Sequence, residues 1–158
     1  MSRHPLDVQT SEPVGKSVPR IDMYEKVTGT ATFADDLPAA RVPGLLYGRL
    51  VRSPYAHALI QAVDTSRALD LPGVRAVVTG ADVPKNIGLY LIDRPIFARD
   101  RVRYVGEPVA GVVATTEEIA EEAVRLVQVR YAKLPAVFDP VESASPDAPL
   151  LHPDLGSY

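Results

Sequence analysis

The 158 residues, 46% hydrophobic and 23% charged, hold enough apolar chain to bury one core and lie well outside the disordered class. A formal net charge of -3, with no cluster of lysine or arginine among aromatics, excludes a reader of the phosphate backbone, so nucleic acid is not an expected partner. The absence of cysteine excludes disulfides, thiolate nucleophiles, sulfur-based zinc sites and any iron-sulfur cluster held by this chain.

Residues 1–20 carry Pro5, Pro13 and Pro19 without an apolar segment, and read as an extended arm rather than a signal peptide. No later run reaches membrane-spanning length, so a cytoplasmic protein with no membrane partner is expected. Ordered structure is expected over 21–139. "GLLYGRLV" (Gly44 to Val51) and "ALIQAVDT" (Ala58 to Thr65) read as strands on either side of a break at Ser53-Pro54. "SRALDLPG" reads as a helical turn capped by Thr65 or Ser66 and ended by Pro72-Gly73. "VRAVVTG" alternates as a strand with Val74, Ala76 and Val78 on one face.

Between Ala81 and Arg99 the periodicity fades into a loop with a short apolar run, "IGLYLI". "RVRYVGEPVAGVVATT" then reads as a short and a longer strand separated by Gly106-Glu107-Pro108. Thr115 and Glu118 have capping-box spacing, and Ile119, Ala120, Ala123, Val124, Leu126 and Val127 form a helical stripe. "VQVRYAKLPAV" reads as a strand with Val127, Val129 and Tyr131 alternating. Residues 140–158, rich in proline and serine, read as a linker toward further domains.

Few residues carry a chemical signal. "VGKSVP" resembles the end of a phosphate-binding loop, but the first glycine of that motif would fall at Thr10, and no G-x-G occurs. His4, His57 and His152 are too dispersed for a metal trio, and Asp35-Asp36 reads as a turn or cap rather than a cation site. His57 is either a buried imidazole bonded to backbone near the strand turn, the favoured reading, or a chemical group. Arg52 could pair with Asp64 or Glu107. Glu117, Glu118, Glu121 and Glu122 occupy a solvated helix face, with Glu121 within reach of Arg125.

"RIDMYEKVTGTATFADDL", "GRLVRSPYAHALIQAVDTSRAL", "PGVRAVVTGADVP" and "ARDRVRYVGEPVAGVVATTEEIAEEAVRLVQVRYAKLPAVFDP" stand in order along the chain. Together, over about Gly15 to Pro140, they resemble the N-terminal hammerhead domain of the large subunit of molybdenum hydroxylases. That family contains xanthine dehydrogenase, aldehyde oxidoreductase, carbon monoxide dehydrogenase and 4-hydroxybenzoyl-CoA reductase. The resemblance implies an α+β fold, an α/β hammerhead whose mixed, bent sheet carries two helices. It implies a structural fragment or split subunit of an oxidoreductase that oxidises aldehydes, purines, N-heteroaromatics or related substrates with oxygen from water.

The same resemblance implies that molybdenum-pterin, iron-sulfur clusters and FAD belong to the complete enzyme, none of them bound by this chain alone. Implied partners are the molybdopterin-binding domains of the large subunit, the iron-sulfur subunit and an FAD subunit. No catalytic, cofactor or metal residue is expected here. Arg52, His57, Gly106, Glu107 and Pro108 are expected at an assembly interface, since "RSPYAHALI" and "VGEPVA" match family motifs that join strands. The rival is a non-catalytic carrier of barrel-sandwich type, which needs a lysine at a hairpin tip. None of Lys16, Lys26, Lys85 and Lys133 is placed there by the sequence reading.

Overall fold

The computed structural model describes residues 15–36 and 42–153, and the chain divides into two compact units, Met1–Gly44 and Leu45–Tyr158. In the first unit, helix α1 spans Met23–Thr28 and ends at Gly29, whose φ of 71° supplies the left-handed C-terminal conformation that side chains disfavour. Arg20 and Lys26 both pair with Asp22 and hold its carboxyl below the usual range. A 3-10 turn follows over Ala34–Asp36, where the Asp36 carboxylate accepts from the Phe33 amide at 2.8 Å, the turn role read from "FADDL". The side chain of Asp35, like His4 and the Thr10 position, lies outside the described residues.

The second unit contains strands β1 (Tyr47–Arg52), β2 (Ala58–Asp64), β3 (Val74–Thr79), β4 (Asn86–Ile87), β5 (Arg94–Pro95), β6 (Arg101–Val102), β7 (Pro108–Ala114) and β8 (Gln128–Lys133). Its helices are α2 (Ser66–Leu69), α3 (Glu117–Leu126) and α4 (Pro140–Ser143). One sheet has the order β1-β7-β3, a second β6-β2-β8, and β4 and β5 form a separate ribbon. The α+β hammerhead class stands. Its detail differs in that every described strand pair is antiparallel, where a mixed sheet is expected.

Strand β7 is the centre of this arrangement. Val109 packs in one apolar cluster with Ala58, Ala98 and Val102, while Ala110 and Val112 pack in another with Val51, Ala68, Ala123 and Val127. Both faces are covered, and for that reason "PVAGVVA" reads as a continuous apolar run instead of an alternation. Each buried valine there stabilises the fold by about 2 kcal/mol. Helix α3 closes the second cluster with Ala123, and Ala120, also fully buried, lies on the same stripe that the sequence predicts.

Several local details depart from expectation. The N-cap of α3 is Thr116, whose hydroxyl accepts from the Ile119 amide at 3.3 Å; Thr115 instead donates its own amide to Gly73 O at 2.9 Å. Of two adjacent threonines, tertiary pairing takes the first and leaves the second to cap. For α2, the amide and hydroxyl of Ser66 donate to Asp64 Oδ1, so neither Thr65 nor Ser66 caps through its side chain. In β3 the register shifts between Val74 and Ala76, and this bulge at Arg75 brings Val77 rather than Val78 into the core beside Val74. The loop expected over 81–99 holds the β4–β5 ribbon. A short helix, α4, occupies the start of the tail, where the Asp139 carboxylate accepts from the amides of Val141 and Glu142.

Candidate functional site

Four of the five singled-out residues meet where β1 leaves its sheet. A register shift after Val51 opposes Arg52 to Pro108. The Arg52 guanidinium donates to Gly106 O at 2.9 Å; the Ser53 amide donates to Glu107 O at 2.9 Å, and the Gly106 amide donates back to Ser53 O at 2.8 Å. Gly106 turns with a φ of 87°, which lets Tyr104 to Pro108 fold back on themselves. Arg52 therefore does not pair with Asp64 or Glu107 as expected. Its charge is spent on a carbonyl, because the turn points Gly106 O at it while Asp64 is engaged with Ser66.

The sequence places Ser53 in the strand break but does not foresee its bonding role. The serine is 3% exposed, and its Oγ accepts from the Tyr55 amide at 3.0 Å while donating to Tyr55 O at 2.9 Å, which locks the proline turn at Pro54. A serine before proline is the available signal. Beyond that turn Tyr55 meets Tyr131 edge to face, with centroids 5.2 Å apart, and Lys133 Nζ lies 4.9 Å from the centre of the Tyr55 ring. Burial raises the Tyr131 phenol above its usual range.

Glu107 is 3% exposed, and burial pushes its carboxyl above the ordinary glutamate range, opposed by the Arg103 amide that donates to Oε2. A carboxyl with a raised folded pKa binds more protons in the folded state than in the unfolded one between the two pKa values. Stability therefore falls as pH rises through the folded pKa. Glu107→Gln keeps an acceptor for Arg103 and removes the charge. It is expected to be neutral or stabilising at pH 7 and to flatten this part of the pH–stability curve, whereas Glu107→Ala costs roughly 1–3 kcal/mol for the stranded amide. Urea midpoints measured from pH 4 to pH 8 separate the two variants.

His57 stands apart from the other four. It is 6% exposed, and Nδ1 lies 2.6 Å from Pro135 O, which makes Nδ1 the donor, while the Leu134 amide donates to His57 O at 3.0 Å. This is the backbone-bonded imidazole favoured from sequence. Its Nε2 has no partner among the described residues. The ring borders a cavity of about 370 Å³ lined mainly by Tyr104, Val105, Pro135, Val137 and Phe138. Phe138 is 82% exposed.

His152 lies 3.5 Å from Asp93, in a separate cavity of about 500 Å³ whose lining also includes Arg99, Asp100 and Arg103. Among the described residues no three histidines or carboxylates gather as metal ligands. A molybdenum-pterin group needs several converging donors free of internal partners. The cavity beside His57 presents one unpaired polar atom, and in the other cavity Arg99 donates to Asn86 and Arg103 to the Leu151 carbonyl, so neither fits that group. The glutamates of α3 are likewise engaged or solvated: Glu117 pairs with Arg49, and Glu121 lies 3.9 Å from both Arg49 and Arg125. Lys133 is held over Tyr55, and the tip of the β4–β5 ribbon contains no lysine. Among the described residues no helix is long and apolar enough to cross a membrane.

Comparison with known proteins agrees with this geometry. Residues 28–135 match the family model described as aldehyde oxidase and xanthine dehydrogenase, a/b hammerhead domain. The chain is 45% identical over 137 residues to a probable xanthine dehydrogenase subunit from Bacillus subtilis, covering 85% of this chain and 18% of that protein. It is 38% identical over 142 residues to the carbon monoxide dehydrogenase large chain of Afipia carboxidovorans, covering 86% of this chain and 17% of that one. A crystal structure of a Cu,Mo-containing carbon monoxide dehydrogenase superposes with a TM-score of 0.81 at 36% identity, over 90% of this chain and 18% of the other. The chain thus spans under a fifth of the length of these relatives. With the hammerhead strands, the turn motifs and the match over 28–135 in agreement, the chain belongs to the aldehyde oxidase and xanthine dehydrogenase family as its α/β hammerhead domain.

Proposed function

We propose that this chain is the structural N-terminal part of a molybdenum hydroxylase large subunit, and that it contributes packing surface to an active site built by other polypeptide. The complete enzyme oxidises aldehydes, purines, N-heteroaromatics or related substrates with oxygen from water, in the cytoplasm. Molybdenum-pterin, iron-sulfur clusters and FAD, held by the remaining large-subunit domains and by iron-sulfur and FAD subunits, supply its redox chemistry. The observation that carries this reading is the superposition on less than a fifth of a molybdenum-containing dehydrogenase chain.

On this reading Arg52, Gly106, Glu107 and Pro108 set the shape of one assembly surface, and His57 lies beside the apolar cavity next to it. The bonds between Ser53, Gly106 and Glu107 support a fixed surface there, because the turn is tied at both ends. The chain purified alone is expected to retain no molybdenum or pterin through gel filtration, read by elemental mass spectrometry and pterin fluorescence. Stoichiometric metal or pterin would overturn the reading. Its intact mass is expected to equal that of the sequence, whereas a covalent prosthetic group would favour the carrier alternative.

A further inference from the structure

We infer that residues 87–92 form a preshaped apolar finger that seats in an apolar socket on the polypeptide which the relatives carry beyond the matched stretch. This inference rests on the function proposed above and names a docking element distinct from the turn at Arg52 and Gly106.

Strands β4 and β5 pair Asn86 with Pro95 and Ile87 with Arg94, and the chain between them projects as a tip. Along it Ile87 is 53% exposed, Leu89 87%, Tyr90 93%, Leu91 60% and Ile92 71%. A contiguous exposed apolar run of this kind marks an interaction site rather than ordinary scattered surface. No residue from Gly88 to Ile92 is charged, while Lys85, Asp93 and Arg94 flank the run, an apolar centre within a polar rim.

The tip is built to hold one shape. Asn86 Nδ2 donates to Ile92 O at 3.3 Å across the base, and Arg99 Nη2 donates to Asn86 Oδ1 at 2.7 Å. A Cβ on Gly88 would run into Leu91 O, a backbone atom, so any side chain there forces the loop to change shape. A loop already in its bound shape loses little entropy on docking. The occupant follows from length: relatives matched over 18% and 17% of their chains carry several times as much polypeptide again, and an uncharged tip fits an apolar socket there.

The test co-expresses this chain with the Afipia carboxidovorans carbon monoxide dehydrogenase large chain lacking its matched segment, and measures association by gel filtration and biolayer interferometry. The unaltered chain is expected to bind in a one-to-one complex. The double variant L89D/Y90D is expected to weaken binding roughly a hundredfold, with the far-ultraviolet circular dichroism of the isolated chain unchanged. Gly88→Ala, which keeps every apolar side chain but spoils the tip, is expected to weaken it roughly tenfold. Binding by L89D/Y90D within about twofold of the unaltered chain would overturn the finger while leaving the proposed function standing. Failure of the unaltered chain to bind a truncated large chain that circular dichroism shows to be folded would overturn the finger's occupant, while the proposed function stands or falls separately on the metal and pterin content of the isolated chain. A dimer of the isolated chain that L89D/Y90D dissolves would assign the finger to a second copy instead.

Discussion

Val112→Asp is expected to unfold the chain. Val112 is fully buried on β7, a strand with core residues on both faces, packed with Val51, Ala110 and Ala123. The substitution forfeits about 2 kcal/mol of apolar burial. It also strands a carboxylate among aliphatic side chains, a penalty of several kcal/mol after relaxation. The combined loss of about 5 kcal/mol or more is comparable to the whole stability of an ordinary domain. Val112→Ala removes only methyl groups and is expected to cost about 2 kcal/mol, leaving a cooperative transition at a lower urea midpoint. Equal midpoints for the two variants would show that β7 is not covered on that face.

Gly80→Val is expected to cost about 3 kcal/mol through overpacking. A Cβ at Gly80 would lie 2.6 Å from Arg99 Cγ and 2.9 Å from the carbonyl oxygens of both Phe97 and Ala98. The arginine stem can swing away, but two backbone oxygens cannot do so without moving the 97–99 segment. That segment is itself tied, since the Ala98 amide donates to Pro108 O at 2.8 Å at the start of β7. The strain therefore reaches the residues opposing Arg52. A fall in thermal midpoint with faster amide exchange at Ala98 is the expected result; unchanged exchange there would place the strain elsewhere.

The elements most legible in the sequence are those whose own period matches their surroundings. Helix α3 has an apolar stripe wide enough to survive a one-residue error in its cap, because Ala120 and Ala123 face the sheet whichever threonine caps. Strand β8 is likewise readable, with Val129 and Tyr131 both turned inward. Period alone fails where a neighbour dictates the geometry. The bulge at Arg75 exchanges Val78 for Val77, and no sequence pattern marks where a partner strand will skip a residue. The ribbon over β4 and β5 escapes because two-residue strands carry no period at all.

At the candidate site, the backbone role of His57 is legible because a histidine between apolar runs needs a partner when buried. Its particular partner, Pro135 O, sits 78 residues away in a segment that carries no signal of its own. The pairing expected for Arg52 fails for a related reason. Charge complementarity is visible in a sequence, whereas the direction of a carbonyl at a left-handed glycine is not.

The chain contains seven tyrosines and no tryptophan. Its native optical signal therefore comes from phenol rings, and the crossed Tyr55 and Tyr131, fixed between the proline turn and β8, form the described aromatic couple. Near-ultraviolet dichroism between 270 and 290 nm, about the region where phenols absorb, becomes a label-free gauge of whether that turn is seated. Loss of the band with the far-ultraviolet spectrum retained would report loosening of tertiary packing before the strands themselves come apart.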